Sequence, residues 1–277
     1  MPELPEMQAL AERLDAALRG ARLIDASPLQ FSALKTVAPP VESLAGRALD
    51  GVGRRGKYVT FTFGGDRVVV HLSQGGRIDV ERPAKRTRPR GGVVRFTFDR
   101  GASLLVKEFG HERRASWWVL RERDDGPLEG LGPEPSSEGF ANLVLSSGDR
   151  RRVHTLLRDQ RTVAGIGRGY ADDILHRARL SPYASLASLA PEERRALLEA
   201  VHEVLGEALD EERKRRAGLP PKLGDHFTVH NRYGGPCPHC RDDLRRVSYE
   251  SHQVTYCPSC QTGGKVLADR RLSRLVR

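Results

Sequence analysis

A chain of 277 residues is long enough for two domains of ordinary size. Its formal net charge of +10 indicates a polyanionic partner, most simply nucleic acid, although a solvated basic surface is the plain alternative. No apolar run approaches the roughly 18 residues of a membrane span, and no basic and apolar leader precedes the first helix, so we expect a cytoplasmic protein that does not enter membranes.

The first predicted element is a helix that runs from Leu4 to about Leu18. Its apolar residues recur at helical spacing, and prolines and acids suit a helix start because the helix dipole favours negative charge there. The same opening has a second interpretation. If Met1 is removed, Pro2 becomes a secondary amine beside the carboxylate of Glu3, and such an amine can attack an aldehyde-like carbon to form an iminium. Taken alone, these residues favour the plain helix start.

The region 21–121 has the pattern of a β domain. We predict seven strands, at 21–27, 46–53, 57–63, 67–74, 93–98, 102–107 and 115–121. This spacing predicts a two-sheet sandwich with the first helix at its flank. Between two of the strands, the segment 81–92 carries five basic residues and two prolines. We expect it to be a flexible loop that does not pack, and to lie near phosphate if DNA is the partner.

A linker rich in glycine and proline, 125–135, ends the first domain at residue 124. The second domain, 136–226, is predicted to be helical, with helices at 137–146, 151–158, 168–178 and 191–216. Between the second and third helices lies a turn that ends in Gly167, where a helix start can offer its backbone amides to a phosphate. A helix–turn–helix packed for its own stability explains this stretch equally well.

The last region, 227–277, holds all the cysteines, in two Cys-x-x-Cys pairs separated by sixteen residues. A hairpin between the pairs, with strands at 245–249 and 254–256 and a turn at 250–253, would bring the four thiolates together around one structural Zn²⁺. The predicted ligands are Cys237, Cys240, Cys257 and Cys260. We predict that His239 faces solvent and is not a ligand. Disulfides or four free thiols are the alternatives, and a reducing compartment disfavours disulfides.

Taken together, these features resemble the formamidopyrimidine-DNA glycosylase / endonuclease VIII family of base-excision repair enzymes. The resemblance covers nearly the whole chain, and its motifs lie in order at 1–6, 54–58, 71–72, 131–135, 159–175 and 257–261. It implies an α+β multidomain fold, in which an N-terminal two-sheet β-sandwich with a flanking helix precedes a helix–two-turn–helix domain and a zinc-ribbon finger.

The resemblance also implies a function, that of a DNA glycosylase with AP-lyase activity on damaged double-stranded DNA. The enzyme would be a nucleoid-associated monomer of prokaryotic type. The Pro2 amine would attack C1′ of the damaged nucleotide, Glu3 would act as general acid and base, and Glu6 would support the amine. Lys57 would hold a phosphate and assist proton transfer. The implied DNA contacts are His71, Gln74, Lys107, Phe109, Gly167, Arg168, Arg232 and His252.

Several positions depart from the family's usual pattern. Arg168 stands where the family has a phosphate-binding Asn, and His252 stands where it has an Arg that clamps phosphates. Gln74 and Lys107 replace a Met and an Arg that fill the void left by the extruded base, and Glu108 places an acid beside the expected DNA surface. The connector 217–226 is short, so that a loop capping an oxidised purine is expected to be missing.

Two hypotheses about function follow from these departures. An active glycosylase/lyase with altered lesion preference is favoured by the intact set of Pro2, Glu3 and Lys57. A DNA-damage binding relative with weak or no base excision is favoured by the changes at Arg168 and His252. A transcription factor that carries a zinc ribbon would leave the N-terminal residues unexplained.

Overall fold

The structure, a computed structural model, describes residues 1–109, 113–215, 225–249 and 252–268. It divides into two compact units, the first comprising Met1–Gly130 with Leu209–Leu223 and the second Leu131–Ala208 with Gly224–Arg277. No helix in the described part of the chain combines the length and the apolar character needed to cross a membrane. Most of the short connector and all of the chain beyond residue 268 lie outside the described residues.

The first unit is a β-sandwich with a helix at its flank. Helix α1 spans Leu4–Leu18, and eight strands follow it: β1 Leu23–Pro28, β2 Gly51–Arg55, β3 Tyr58–Phe63, β4 Asp66–His71, β5 Gly76–Glu81, β6 Gly92–Phe98, β7 Ser103–Glu108 and β8 Ser116–Leu120. The strands form two four-stranded antiparallel sheets, ordered β2–β3–β4–β8 and β1–β6–β7–β5. This is the sandwich that the strand spacing predicts.

Aromatic rings from both sheets meet in the core of the first unit. The ring centroids of Phe61 on β3 and Phe96 on β6 are 6.2 Å apart, and Trp117 on β8 meets Phe96 edge-on at 5.6 Å. Burial alternates along β3, as it must where one face of a strand packs and the other does not. The apolar side of α1 joins the same core, and this packing holds the helix against the sandwich. The residues that pack there are Met7, Leu10, Leu14 and Leu18.

The prediction of seven strands is wrong by one, because the sequence analysis missed β5. Gly75 just before the strand, Gly76 at its start and its three charged residues together resemble a turn, yet the charges are accommodated within the sheet. Arg77 is 7% exposed, and the carboxylate of Glu81 accepts a 2.9 Å hydrogen bond from Arg95. The second strand also starts later than predicted, at Gly51, because the residues before it make only an isolated bridge at Ala48.

The basic loop that follows β5 is packed against the sandwich, which corrects the prediction of a free loop. Its Ala84 N–H donates to the carbonyl of Gly101 at 2.9 Å, and the carbonyl of Thr87 accepts a 2.6 Å bond from Arg95. The basic residues of the loop are exposed, and the guanidinium groups of Arg82 and Arg88 donate to the carbonyls of Ala17 and Leu29. Backbone hydrogen bonds therefore fix a loop whose composition alone suggested mobility.

In its described residues, the second unit contains three helices, most of a fourth and a ribbon. The helices are α2 Glu138–Ser146, α3 Val153–Arg158, α4 Arg168–Arg177 and α5 Pro191–Lys214; the ribbon comprises β9 Arg245–Tyr249, β10 His252–Tyr256 and the short α6 Pro258–Thr262. The side chain of Ser137 caps α2 by accepting from the N–H of Phe140. Helix α4 lies against α3, β10 and α6, so the helical module and the ribbon share one helix.

The hairpin of the ribbon is longer than predicted. His252, which we expected in the turn, pairs with Tyr249 as the first residue of β10. Side chains alternate between the two faces of a strand, so His252 lies on the same face as the buried Val254 two residues later. This alternation favours a strand that already begins at His252. The connecting residues 250–251 lie outside the described part of the chain.

Candidate active site and nucleic-acid interface

Two buried carboxylates flank the N-terminal residues of the chain. Glu3 is the N-cap of α1, and its N–H donates to Glu6 Oε2 at 2.9 Å in a reciprocal capping box. Glu3 is 7% exposed and Glu6 is 1% exposed. Pro2 is buried beside them. The helix cap therefore fixes both predicted acids next to the predicted nucleophile.

Lys57 lies in the tight turn between β2 and β3. Gly56 has a φ of +54°, a left-handed conformation that glycine adopts at little cost, and the strands on either side pair from Arg55 and Tyr58 onward. Despite its charge, Lys57 is only 5% exposed. A buried ammonium at the tip of a two-residue turn has little conformational freedom, as a residue that positions a phosphate requires.

Four charged side chains of this region affect the pKa of the N-terminal amine. Burial lowers the pKa of the amine below its ordinary value, the carboxylates of Glu3 and Glu6 act in the opposite direction, and the charges of Arg77 and Lys57 lower it further. Here the amine belongs to Met1, and it stands in for the Pro2 amine one residue later. Because an amine attacks through its lone pair, a lowered pKa enlarges the nucleophilic fraction near neutral pH.

Arg77 is a site residue that the sequence analysis missed. It is 7% exposed, its Nη1 donates to the carbonyl of Gly76 at 2.7 Å, and burial lowers its pKa. Its register partner on β7 is Lys107, so two cations lie directly opposite each other across the ladder. One sequence signal could have drawn attention to Arg77. It is the alternating pattern of the missed strand, which places Arg77 on the same face as Asp79.

His71 ends β4 close to Lys57. Its ring lies 4.8 Å from the ring of Tyr58, centroid to centroid, and its strand neighbours are Tyr58 and Ser116. Burial, followed by the charge of Lys57, lowers the pKa of His71 to about 4. At neutral pH the side chain is therefore an uncharged imidazole, which can donate one hydrogen bond to a phosphate but does not add a positive charge.

We expect His71 to remain neutral down to pH 5 in the folded protein. A histidine whose pKa falls from 6.5 to about 4 on folding binds its proton more readily when unfolded, so stability drops as the pH falls below 6.5. The expected loss between pH 7 and pH 5 is about 2 kcal/mol. Titration of the imidazole by NMR measures the pKa directly, and His71→Gln should remove this part of the pH dependence. A measured pKa near 6.5 would contradict the expectation.

A second group of predicted residues forms an exposed rim of the first unit. Gln74 is exposed and Phe109 is 57% exposed. A backbone hydrogen bond links the two positions, because the N–H of Phe109 donates at 3.0 Å to the carbonyl of Gly75, the residue after Gln74. A Cβ on Gly75 would lie 2.0 Å from the Phe109 carbonyl oxygen, so only glycine fits there. Lys107 forms an ion pair with Asp79, and its Nζ lies 5.3 Å from the centroid of the Phe109 ring.

Glu108 does not face outward, which corrects the expectation of an acid beside DNA. It is 4% exposed, and its carboxylate accepts hydrogen bonds from the N–H groups of Arg114 and Ala115 at 2.9 and 3.0 Å. Residues 110–112 lie outside the described part of the chain. The carboxylate thus anchors the residues that return to β8, which is a structural role.

The turn between α3 and α4 in the second unit is held by Gln160. Its Nε2 donates to the carbonyl of Ile166 at 2.6 Å, and its Oε1 accepts from the N–H of Gly165 at 2.9 Å. These bonds bring the chain to Gly167, the extended N-cap of α4, with Arg168 exposed at the first helical position. Helix starts favour anions because their first N–H groups point outward and carry partial positive charge.

A buried network that the sequence did not suggest joins this helix to the ribbon. Asp172 accepts from His154 Nε2 at 3.0 Å, from His230 Nδ1 at 2.7 Å and from the N–H of Thr255 at 3.2 Å. Burial alone would raise the pKa of Asp172, but the bonds from the two histidines hold it below its ordinary value. The neighbouring Asp173 binds the backbone N–H groups of 228–230.

The two predicted DNA contacts near the ribbon, Arg232 and His252, differ in their surroundings. Arg232 is exposed, and its guanidinium donates to the carbonyls of Phe227 and Asp225. These bonds leave part of the guanidinium available, but they hold it against its own loop. His252 is half-buried on β10. Its role as a clamp stays a prediction.

The four cysteines converge at the base of the ribbon. Each offers a sulfur within 4.8 Å of the others, with 3.8 Å between Cys237 and Cys260 and 3.4 Å between Cys240 and Cys257. Four sulfurs about 2.3 Å from one Zn²⁺ lie about 3.8 Å apart along a tetrahedral edge. Burial, aided by the sulfurs of Cys240 and Cys237, raises the pKa of Cys257 to about 11, and a dication would reverse that effect. The donor set fits a structural zinc.

Two histidines border the cysteine cluster. His176 of α4 places Nε2 3.2 Å from the sulfur of Cys237, although nothing in the sequence linked the two residues. His239 is exposed, and its Nδ1 is 3.8 Å from the sulfur of Cys260, while its Nε2 meets Arg179 at 2.7 Å. In zinc sites generally, hydrogen bonds from neighbouring groups to the metal ligands hold those ligands in position.

Comparison with known proteins identifies the family. The N-terminal domain model of formamidopyrimidine-DNA glycosylase matches residues 1–115, and the H2TH domain model of the same enzyme matches residues 131–217. Formamidopyrimidine-DNA glycosylase from Thermus thermophilus is 35% identical over 280 residues, which cover 95% of this chain and 100% of the relative. The chain belongs to the formamidopyrimidine-DNA glycosylase family.

Other members of the formamidopyrimidine-DNA glycosylase family match over similar lengths. The enzyme from Chloroflexus aurantiacus is 30% identical over 275 residues, which cover 94% of this chain and 98% of the relative. The crystal structure of the Lactococcus lactis glycosylase, bound non-covalently to DNA with an AP site, has a TM-score of 0.82 at 22% identity. It covers 94% of this chain and 99% of that chain. The fold predicted from the sequence is therefore confirmed.

Membership of the glycosylase family places the chain among DNA glycosylases of base-excision repair. Within the first unit, the structure brings Pro2, Glu3, Glu6 and Lys57 together, with Arg77 as an addition. Gln74, Lys107 and Phe109 form the rim of this unit. The second unit presents the helix start at Gly167 and Arg168 and gathers the four cysteines.

Proposed function

We propose that this protein is an active DNA glycosylase and AP lyase that uses the Pro2 amine, freed by removal of Met1, as its nucleophile. The observation that carries the proposal is the environment of the N-terminal amine. Burial and two cations favour its neutral form, and two buried carboxylates stand beside it. A helix start that served only as a structural cap would not need a buried lysine and a buried arginine at the same point.

The covalent step follows from ordinary amine chemistry. At an abasic site, the lone pair of the amine adds to the aldehyde carbon C1′. The amine proton and one further proton then leave with the former aldehyde oxygen as water, and a C=N⁺ iminium remains. When a base is still attached, the amine adds to C1′ as the bond to the base breaks, and the base leaves with the proton of the amine. The C1′–O4′ bond then opens, O4′ takes a proton and becomes a hydroxyl, and the same iminium remains. Glu3 lies where it can carry these protons.

The iminium activates the sugar for strand cleavage. Its positive nitrogen withdraws electrons and acidifies the hydrogens at C2′, so loss of one of them expels the 3′ phosphate by β-elimination. A carboxylate beside the iminium can accept that hydrogen as a proton, and Glu3 is held for this by the capping box. Lys57 would neutralise a phosphate near the reacting sugar, and His71 would donate a neutral hydrogen bond to another.

The remaining predicted contacts would hold distorted DNA. The target nucleotide must leave the stack before its C1′ is accessible. Phe109 has the exposure and the apolar ring needed to enter the gap, with Gln74 beside it. Gly167 and Arg168 would bind backbone phosphate at the start of α4. We propose a monomer acting on damaged duplex DNA near the nucleoid, with a lesion preference altered by Gln74 and Lys107.

Trapping of the iminium with borohydride tests the proposal. The reagent delivers hydride to C1′ of the iminium and fixes the C–N bond, so a denaturing gel then shows a covalent protein–DNA adduct. Duplexes with an abasic site, 8-oxoguanine, a ring-opened purine or an oxidised pyrimidine would rank the lesions. We expect adduct with the abasic duplex for protein whose mass shows that Met1 is absent.

Two variants and one alternative outcome complete this test. Pro2→Gly keeps a primary amine and should lose most of the adduct, whereas Ser27→Ala, which removes a hydroxyl that bonds Asp25 on β1, should keep it. Absence of adduct on every duplex, from protein that starts at Pro2 and binds the same DNA, would refute the proposed activity. That outcome would favour the damage-binding relative suggested by Arg168 and His252.

A further inference from the structure

We propose that His176, in the last turn of α4, is a positioning residue of the zinc site. Its ring N–H would donate a hydrogen bond to the thiolate of Cys237 and so connect α4 to the metal. The four-cysteine pattern of the sequence does not include this histidine. The inference concerns the metal site alone, so it can be tested separately from the proposed amine chemistry.

The contact between the histidine and the cysteine is short and buried. Nε2 of His176 lies 3.2 Å from Sγ of Cys237, and the two residues are 8% and 0% exposed. A metal-bound thiolate accepts hydrogen bonds and donates none, so the ring carries a proton on Nε2. The packing of α4 against the ribbon therefore directs a ring N–H at one ligand sulfur.

The position of His176 is that of a neighbour of the ligands and not of a ligand. Among the described residues, the group that can hold a metal here consists of the four cysteines, whose sulfurs lie within 4.8 Å of one another. His176 is outside that group, although its ring contacts one of the sulfurs. It therefore acts on the metal through Cys237.

The charge of the site explains why Cys237 needs a donor. Four thiolates carry more negative charge than one Zn²⁺ balances. Cys237 is buried in a small apolar cluster with Val229 and Leu244, where excess negative charge costs free energy unless N–H groups donate to it. The backbone N–H of His239 donates to the sulfur at 3.4 Å, and the ring of His176 supplies a second and closer donor.

The face of α4 that carries His176 also holds the ribbon. Asp172 and Asp173 precede His176 by four and three residues, so the three side chains lie on one side of the helix. Asp172 accepts from the N–H of Thr255 on β10, and Asp173 accepts from backbone N–H groups of 228–230. Helix α4 has ten residues and Gly167 as its N-cap. The bond to the zinc ligand thus fixes the far end of the short helix whose start would bind phosphate.

Zinc retention tests this inference directly. We expect His176→Phe, which keeps a ring but has no N–H, to bind Zn²⁺ about 10- to 100-fold more weakly, as loss of a hydrogen bond to a metal ligand generally does. Competition with a chromophoric chelator measures the affinity. His176→Gln, whose amide N–H can reach the same sulfur, should recover most of it. His202→Phe is the matched control, because His202 donates its 3.1 Å bond to the carbonyl of Pro135 and not to a sulfur.

Cobalt substitution distinguishes the hydrogen bond from a merely structural role. Co²⁺ bound to thiolates shows a sulfur-to-metal charge-transfer band, and an N–H bond to the sulfur raises the energy of that transition because it stabilises the sulfur electrons. The band should move to longer wavelength in His176→Phe and return in His176→Gln. If His176→Phe folds poorly, His176→Asn, whose amide is too short to reach the sulfur, gives the same test.

Three outcomes would overturn the inference. They are an unmoved cobalt band in His176→Phe, a zinc affinity of that variant equal to the wild-type affinity, and a nitrogen ligand about 2.0 Å from the metal that is present in the wild type and absent from His176→Phe. The last would make His176 a ligand, and X-ray absorption would detect it. None of these measurements uses DNA, so their outcome is independent of borohydride trapping.

Discussion

Replacement of Cys257 by serine should unfold the ribbon and abolish DNA binding while the first unit stays folded. Four thiolates around Zn²⁺ contribute on the order of 10 kcal/mol or more to the folding of a small ribbon, and a site with three thiolates loses much of that. Cys257 is buried, so its loss leaves a polar hydroxyl in the cluster with Val229 and Leu244. Zinc content, circular dichroism and duplex affinity measure the outcome.

The matched control for the zinc variant is Ser259→Ala in the same Cys-x-x-Cys pair. The Ser259 hydroxyl donates to Asp242 at 2.7 Å in an exposed contact, so its loss should change stability by less than about 1 kcal/mol. One bound zinc and unchanged DNA affinity in Cys257→Ser would show that the ribbon does not need the fourth sulfur, and loss of zinc with unchanged affinity would show that the ribbon takes no part in binding. Chelation of the wild-type protein should reproduce the effect of the cysteine variant.

Glu3→Gln should separate base excision from attack on an abasic site. Excision needs proton transfer to the departing base, and loss of a positioned general acid lowers such a step by roughly 10²- to 10⁴-fold. Trapping at an abasic site should be spared, because removing the Glu3 charge lowers the pKa of the amine still further and enlarges its neutral fraction. The amide oxygen of glutamine can still cap α1, so the helix start should persist.

Single-turnover assays on paired substrates measure this separation. One duplex carries the damaged base and the other carries a preformed abasic site at the same position. Glu6→Gln provides the comparison, because its amide oxygen can still accept the N–H of Glu3. Equal losses of Glu3→Gln on both duplexes would show that Glu3 acts on the sugar or the fold and not on the departing base.

Local patterns were sufficient to predict most of the fold and part of the candidate site. The helix start, the alternation of β3 and the spacing of the cysteines each depend on residues that are close in sequence. In these cases the residue types, their spacing and the local geometry point to one structure.

The features that the sequence analysis missed depend on tertiary contacts. Asp172 lies 18 residues from His154 and 58 from His230, and only the packing of α3, α4 and the following loop brings them together. Glu108 resembles a surface acid until the return of the chain supplies two N–H groups for it. Arg77 resembles part of a turn until β7 lies beside it.

The backbone link between Gly75 and Phe109 has a mechanical consequence. The hydrogen bond at 3.0 Å and the close approach of the Phe109 carbonyl to Gly75 link the β4–β5 turn to the end of β7. We expect a displacement of Phe109 to move Gln74 with it. If the protein moves along DNA with this rim against the duplex, Phe109 and Gln74 would press on each base step together. The response at each step would then depend on how stiff the DNA is there.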